Sequence, residues 1–503
     1  MKLTPLALGV LLASAALAQP PGDWMSGFKP FTVKEPAIPS RTVSLPDFGA
    51  VPGGRALCTD AFARAIDALA AQGGGRLLVP AGLWLTGPIA LKSNIEIHTE
   101  RGTLVQFSKD VSLYKLAPGS AGASAGVPGF APEGRRRSPL VRGLITGENL
   151  ENVAITGPGV FDGGGEAWRP VKKSKTTEPQ WQALLASGGV LDADGQTWSP
   201  RTGAVFARPH LLVLSRCRRV LLEDATFENS PAWNLNPSFC DDVTIRRVTV
   251  LNPWYAQNGD GLDLESCRDV VIRDDRLDVG DDGLCMKSGA GAQARKSGRA
   301  TENVLIENCV VYHAHGGFTI GSEMSGGVRN IRVDNCLFLG TDVGLRFKTT
   351  RGRGGVVEDI YVSNIRMTNI GTDAISFDMY YQGAAPGEEG GAGAAPKPVP
   401  VSDGTPQFRN LYIENITCLG ARRAVQLQGL PEMPIRGIRL RDISISAERG
   451  LLCEDADDIT LDHVQIASRS GEPRTFIRSQ NVRTFGPPDP ARPPSAPAAA
   501  PRS

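Results

Sequence analysis

Four short groups of chemically capable residues stand between Asn258 and Lys348: Asn258-Gly259-Asp260, Gly280-Asp281-Asp282, His315-Gly316 and Arg346-Phe347-Lys348. Crowded carboxylates in a cleft raise one another's pKa, which leaves one protonated to serve as an acid. An imidazole beside them can tune that proton, since it titrates nearest neutrality. Arg346 and Lys348 are two apart, so on a strand they share a face and can bind an anion, Arg through its fork and Lys as a point charge. The groups are separated by 21, 33 and 31 residues (260 to 281, 282 to 315, 315 to 346), about one turn of a coil each. Turns stacked as parallel strands roughly 4.8 Å apart bring such residues onto one patch. Adjacent side chains on a regular strand face opposite ways, so Asp281 and Asp282 reach one site only if Gly280 marks a bulge or turn.

The elements that must do this positioning are visible as an internal repeat. A polar residue followed by alternating apolar positions recurs eleven times, headed by Asn94, Asn152, Arg219, Asp242, Asp269, Asn303, Asn330, Asp359, Asn410, Gly437 and Asp458. Most intervals from Arg219 onward run from 21 to 34 residues, room for three short strands and their turns. Such a coil cannot bury its inward face alone, but stacked copies share one core. The expected fold is all-β, a single-stranded right-handed parallel β-helix with an N-terminal capping helix. That helix is read from Thr59-Asp60 at its start, Phe62, Ile66 and Leu69 at helical spacing, and Gly73-Gly74-Gly75 as its stop.

Composition bounds the rest. Lys2, the apolar run Leu6 to Leu17 and the small residues before Gln19 make residues 1–18 a signal peptide, so an exported protein, periplasmic or secreted, is expected. No later stretch is apolar enough to span a membrane. Removing Lys2 leaves 53 basic and 53 acidic residues, a balance that argues against a nucleic-acid partner. Nine cysteines is an odd number. Those recurring at coil spacing read as small buried residues rather than a disulfide framework. Residues 19–41 are read as an extended Pro-rich segment, 42–485 as the β-helix and 486–503 as a disordered Pro/Ala-rich tail. Pro118 to Pro139, Gly163 to Pro209 and Gly383 to Pro406 interrupt the period as loops. The second carries Trp168, Trp181 and Trp198 and is long enough to suggest a function at a cleft rim.

Acids beside cations describe a site for an anionic sugar, and at these residues the sequence resembles the polygalacturonases, glycoside hydrolase family 28. That family's signatures, Asn-Thr-Asp, Gly/Gln-Asp-Asp, Gly-His-Gly and Arg-Ile-Lys, have counterparts in the same order in Asn258-Gly259-Asp260, Gly280-Asp281-Asp282, Ala314-His315-Gly316 and Arg346-Phe347-Lys348. The resemblance implies hydrolysis of α-1,4-galacturonosyl bonds by an inverting acid/base mechanism. Asp281 would be the acid, Asp260 and Asp282 would hold and activate water, and His315 would tune the acid. Arg346 and Lys348 would bind the galacturonate carboxylate, with Asn258 and Tyr380 as further substrate-binding residues. Inversion carries an expected acid–base separation of roughly 6.5–9.5 Å. No cofactor or metal is expected, and a monomer acting on pectic chains is. Ala314 stands where the family has Gly or Ser, which bears on the backbone beside His315. The Asn258-Gly-Asp form and the run Arg346 to Gly355 resemble the bacterial exo-acting branch, whose extra loops close one end of the cleft.

Three other readings compete. A rhamnogalacturonan-type hydrolase keeps the fold and acids and changes the sugar, a pectate-lyase-like β-helix predicts calcium dependence, and a silent glycan-binding β-helix would not need all three aspartates and His315.

Overall fold

The structure is a computed structural model that describes residues 23–114, 143–201, 208–381 and 397–489. Its strands form one 31-stranded parallel sheet wound into a right-handed β-helix, with a separate three-stranded sheet. A coil holds three short strands. Leu235–Ser238, Asp241–Arg246 and Thr249–Leu251 pair in parallel with Leu262–Glu265, Arg268–Arg273 and Arg276–Asp278 of the next coil.

All eleven repeat heads take positive φ, from 53° at Asn330 to 67° at Gly437. The recurring polar residue is therefore one of the left-handed corners of each coil, where Asn and Asp are tolerated best among residues with a side chain. Their side chains also stack. The Asn152 amide donates to Asn94 Oδ1 at 2.7 Å, Asn303 to Asp269 Oδ1 at 2.8 Å and Asn330 to Asn303 Oδ1 at 2.8 Å. Residues 23–41 begin with a 3-10 turn, Trp24–Gly27, and then cross this corner column. The backbone N–H groups of Lys29, Lys34 and Ala37 donate to the side chains of Asn330, Asp242 and Asn152.

The inward residues form one continuous apolar core, with rings stacked coil on coil, as in Phe347 on Phe377 at 4.2 Å. All nine cysteines are buried free thiols. Cys217, Cys240 and Cys267 stack in register, each backbone N–H of the first two pointing at the next sulfur at 3.4 Å. The helix Thr59–Ala71 buries Ala61, Phe62, Ala65, Ile66 and Leu69 against the first strands. Its N-cap is Cys58, not Thr59 or Asp60, because the Thr59 hydroxyl is engaged by the Gly87 N–H at 2.6 Å.

The Gly163–Pro209 stretch, expected as a loop, contains a folded unit. The helix Glu178–Ala186 packs on an antiparallel sheet of Val171–Lys172, Val190–Leu191 and Thr197–Ser199. Val171, Trp181 and Trp198 form a small core of their own, joined by Tyr255 from the β-helix. At the other end, residues 486–489 of the expected tail are described and lie against the β-helix. Asp489 is held by Arg474 and by the Ile466 N–H at 2.9 Å. The signal segment, Pro118 to Pro139 and most of the Gly383 stretch lie outside the described residues.

Candidate active site

Leu262, Leu284, Phe318 and Leu345 pair as one row across four coils. Asp281, His315 and Asp342 each stand three residues before that row, and Asp260 and Asp282 each stand two before it. The site thus lies where each coil turns into its strand, and register alone lines the groups up. Close approach enforces the turn. A Cβ at Gly283 would lie 2.7 Å from Val311 Cγ1, and one at Gly317 2.5 Å from the Phe338 ring. Gly280 backs onto the Pro253 and Ala256 carbonyls, where a Cβ would lie 2.6 Å from each, so Asp281 and Asp282 leave a bend rather than a strand.

One oxygen from each of Asp260, Asp281 and Asp282 lies within 4.8 Å of the others. This corrects the expected acid–base gap of roughly 6.5–9.5 Å. Carboxylates on adjacent coils are held near the interstrand spacing of ~4.8 Å, so their separation reports the fold and does not decide the stereochemistry.

The three aspartates have different surroundings. Asp282 is buried, with Oδ1 accepting from Arg346 at 2.9 Å and Oδ2 from Lys348 at 2.7 Å. Burial opposes its charge, but the two cations hold it far below the ordinary carboxylate range. Asp281 Oδ1 meets His315 Nδ1 at 3.1 Å, and its Oδ2 accepts the Asn258 N–H at 3.2 Å. Burial pushes Asp281 up, yet the His315 hydrogen bond and charge outweigh it and keep the carboxyl below its usual range. Burial likewise pushes His315 down, and Asp281, Asp282 and Asp342 bring it above the usual imidazole value. Asp260 is the reverse case. Its Oδ1 has no hydrogen-bond partner among the described residues, and burial beside Asp263, Asp281 and Asp282 raises it well above the usual range.

Arg346 and Lys348 share a face as expected, and both lie over the Tyr381 ring, at 5.6 and 4.8 Å from its centroid. Tyr380, the residue singled out from sequence, instead packs in the core with its hydroxyl buried. The strand ends at Asp378, and in the turn that follows Tyr381, not Tyr380, faces the two cations. Asn258 belongs to the site through its backbone, while its side-chain oxygen accepts from Arg208 Nη2 at 2.9 Å. Ala314 is buried and has no positive φ, so it needs none of the freedom of glycine beside His315.

Sequence reasoning missed Arg208. It lies at the end of the inserted unit, buried, and also donates to the carbonyls of Pro231 at 3.2 Å and Gln257 at 2.5 Å. No repeat or motif marks it. A second buried network was also missed, in which Lys287 Nζ lies 3.2 Å from Glu323 and 3.5 Å from Asp263. Burial pushes Asp263 up to about 8 against the pull of Lys287.

Comparison with known proteins places this geometry. The sequence pattern described as "Glycosyl hydrolases family 28" matches residues 179–461, which span Arg208 and the whole cluster from Asn258 to Tyr381. A Vitis vinifera protein named "Probable polygalacturonase" is 30% identical over 418 residues, covering 81% of this chain and 74% of that one. The "Exo-poly-alpha-D-galacturonosidase" of Dickeya chrysanthemi is 25% identical, covering 79% of this chain and 66% of its own length. Among solved structures, the hyperthermoactive exopolygalacturonase of Thermotoga maritima superposes with a TM-score of 0.67 at 31% identity, over 91% of this chain and 94% of that one. With its β-helix and its acid cluster carried on these segments, the chain belongs to glycosyl hydrolase family 28 and is a glycoside hydrolase.

Proposed function

We propose that this glycoside hydrolase cleaves α-1,4-galacturonosyl bonds of polygalacturonate, releasing galacturonate from chain ends, as an exported protein. The observation that carries the reading is the pair Arg346 and Lys348 set against the acid cluster, with the Tyr381 ring beneath them. Arg346 is the more exposed of the two, with 20% of its side chain open against 6% for Lys348. It can take the sugar carboxylate through its fork while Lys348 keeps Asp282 in place. The names of the Dickeya and Thermotoga relatives support exo action, and the folded insertion beside the cleft supports it physically.

In this reading the His315–Asp281 pair holds one proton, which rests on the imidazole in the free protein. As the glycosidic oxygen arrives, the proton shifts from His315 Nδ1 to Asp281, and Asp281 passes it to the leaving oxygen as the glycosidic bond breaks. Asp260 and Asp282 hold the attacking water, one of them takes its proton as its oxygen bonds the opposite face of the anomeric carbon, and the product is inverted. A second assignment has its own support: Asp260 carries the raised pKa, so it is the carboxyl most easily kept protonated.

The test is a time-resolved product profile on polygalacturonate with chelator present. Galacturonate monomer from the start, without ultraviolet-absorbing product, supports the reading. Early mixed oligomers overturn the exo assignment, and an unsaturated product overturns hydrolysis.

A further inference from the structure

We propose that the inserted unit builds a second uronate-binding subsite beside His315, with Trp254 as its sugar platform and Lys175 as the cation that takes the carboxylate. The inference rests on the galacturonan reading above. An open cleft of about 560 Å³ runs along His315 and Asp342 and is walled on its far side by Pro253, Trp254 and Lys175. The catalytic cluster itself uses none of these three.

Trp254 is 50% exposed, more than Phe485 at 42%, Phe476 at 40% or Tyr312 at 38%, while the rings of the core are buried. It is nevertheless held in place. Its neighbour Tyr255 packs into the core of the insertion with Trp181 and Trp198, and meets Trp254 edge-on at 6.3 Å. An indole fixed in this way offers a flat apolar face of the size of a sugar ring, at a cleft rim where apolar bodies and a few polar groups fix ligand orientation.

Lys175 Nζ stands 5.2 Å from the Trp254 ring centroid. Lys172, Lys173 and Lys175 form a basic run in which no member has an acidic partner among the described residues. The acids of the cleft are already engaged. Asp278 meets His313 at 3.1 Å, and Asp342 faces His315 at 3.7 Å. The positive end of the cleft therefore lies at Lys175, and an anion entering it meets an ammonium that gives up no protein salt bridge to bind. A uronate lying on Trp254 with its carboxylate toward Lys175 satisfies both features, and a neutral sugar satisfies only one.

The test is calorimetric binding of tetragalacturonate and of its methyl-esterified form to the full chain carrying Asp281→Asn, which prevents turnover. Lys175→Gln in that background is expected to weaken the acid form about tenfold and the ester by less than twofold. Trp254→Ala is expected to weaken both about tenfold with unchanged thermal unfolding. Equal losses for acid and ester in Lys175→Gln, or unchanged binding in either variant, would overturn the subsite. Failure of the unmutated chain to turn over galacturonan is scored beforehand, and it overturns the functional reading itself.

Discussion

His315 stands one coil beyond Asp281, with its Nδ1 3.1 Å from the Asp281 carboxylate and its own backbone N–H donating to the Asp281 carbonyl at 2.8 Å. The backbone that stacks the coils also fixes the proton-sharing pair. Asp281 titrates below the ordinary carboxylate range and His315 above the ordinary imidazole value, so the bridged pair exists between those two limits. Its stabilising contribution is lost as pH falls through the Asp281 pKa, and again as pH rises through the His315 pKa.

Activity therefore falls on the alkaline side as His315 loses its proton. Asp342 is one of the anions that raise His315. Asp342→Asn is expected to move the alkaline limb of the kcat profile to lower pH, with kcat at the optimum reduced less than about threefold. A limb that stays in place would show that another group controls it.

Lys348 and Asp282 form a buried ion pair at 2.7 Å. Removing Lys348 leaves the buried Asp282 carboxylate with Arg346 as its remaining partner, so Lys348→Met alone should cost less than a fully broken buried pair, roughly 1–3 kcal/mol of stability. Asp282→Asn together with Lys348→Met should recover most of that loss and remain inactive. Urea unfolding of the two single variants and the double variant measures the coupling.

Arg208 donates to the Asn258 side chain, whose backbone N–H donates to Asp281, and it forms no ion pair with an acid among the described residues. It is a positioning residue. Arg208→Met and Asn258→Ala should each lower kcat by about 10²-fold with a smaller change in KM, since small displacements at a reacting centre are costly. The double variant should be little worse than either single one. Additive losses would separate the two residues.

Gly317 tests the register argument. An added Cβ meets three Phe338 ring carbons between 2.5 and 2.8 Å. Gly317→Ala should destabilise the fold by roughly 1–3 kcal/mol and lower kcat through His315, two residues away. Thermal unfolding and kcat measured on the same preparation check both.

Much of this was legible in the sequence because the β-helix repeats one local decision. The residues heading the eleven repeats are left-handed corners, and composition alone favours Asn and Asp there. Asp260, Asp281, Asp282, His315, Arg346 and Lys348 converge because register carries them. What stayed hidden depends on contacts without a period. Arg208 joins the site from an insertion, Tyr381 replaces Tyr380 in the turn after a strand has ended, and the Thr59 hydroxyl is drawn from capping by Gly87. The low titration of Asp281 was also hidden, since burial and like charge predict the opposite and the His315 contact, helped by the charge of Lys348, reverses it.

The most direct measurement compares Asp281→Asn and Asp260→Asn on two substrates, an oligogalacturonate and a galacturonide whose leaving group departs without a proton, such as nitrophenolate. If Asp281 is the acid, Asp281→Asn loses about 10²–10⁴-fold in kcat on the oligomer and far less on the nitrophenyl substrate, while Asp260→Asn loses equally on both. The selective loss appearing in Asp260→Asn instead would contradict the assignment and make Asp260 the proton donor.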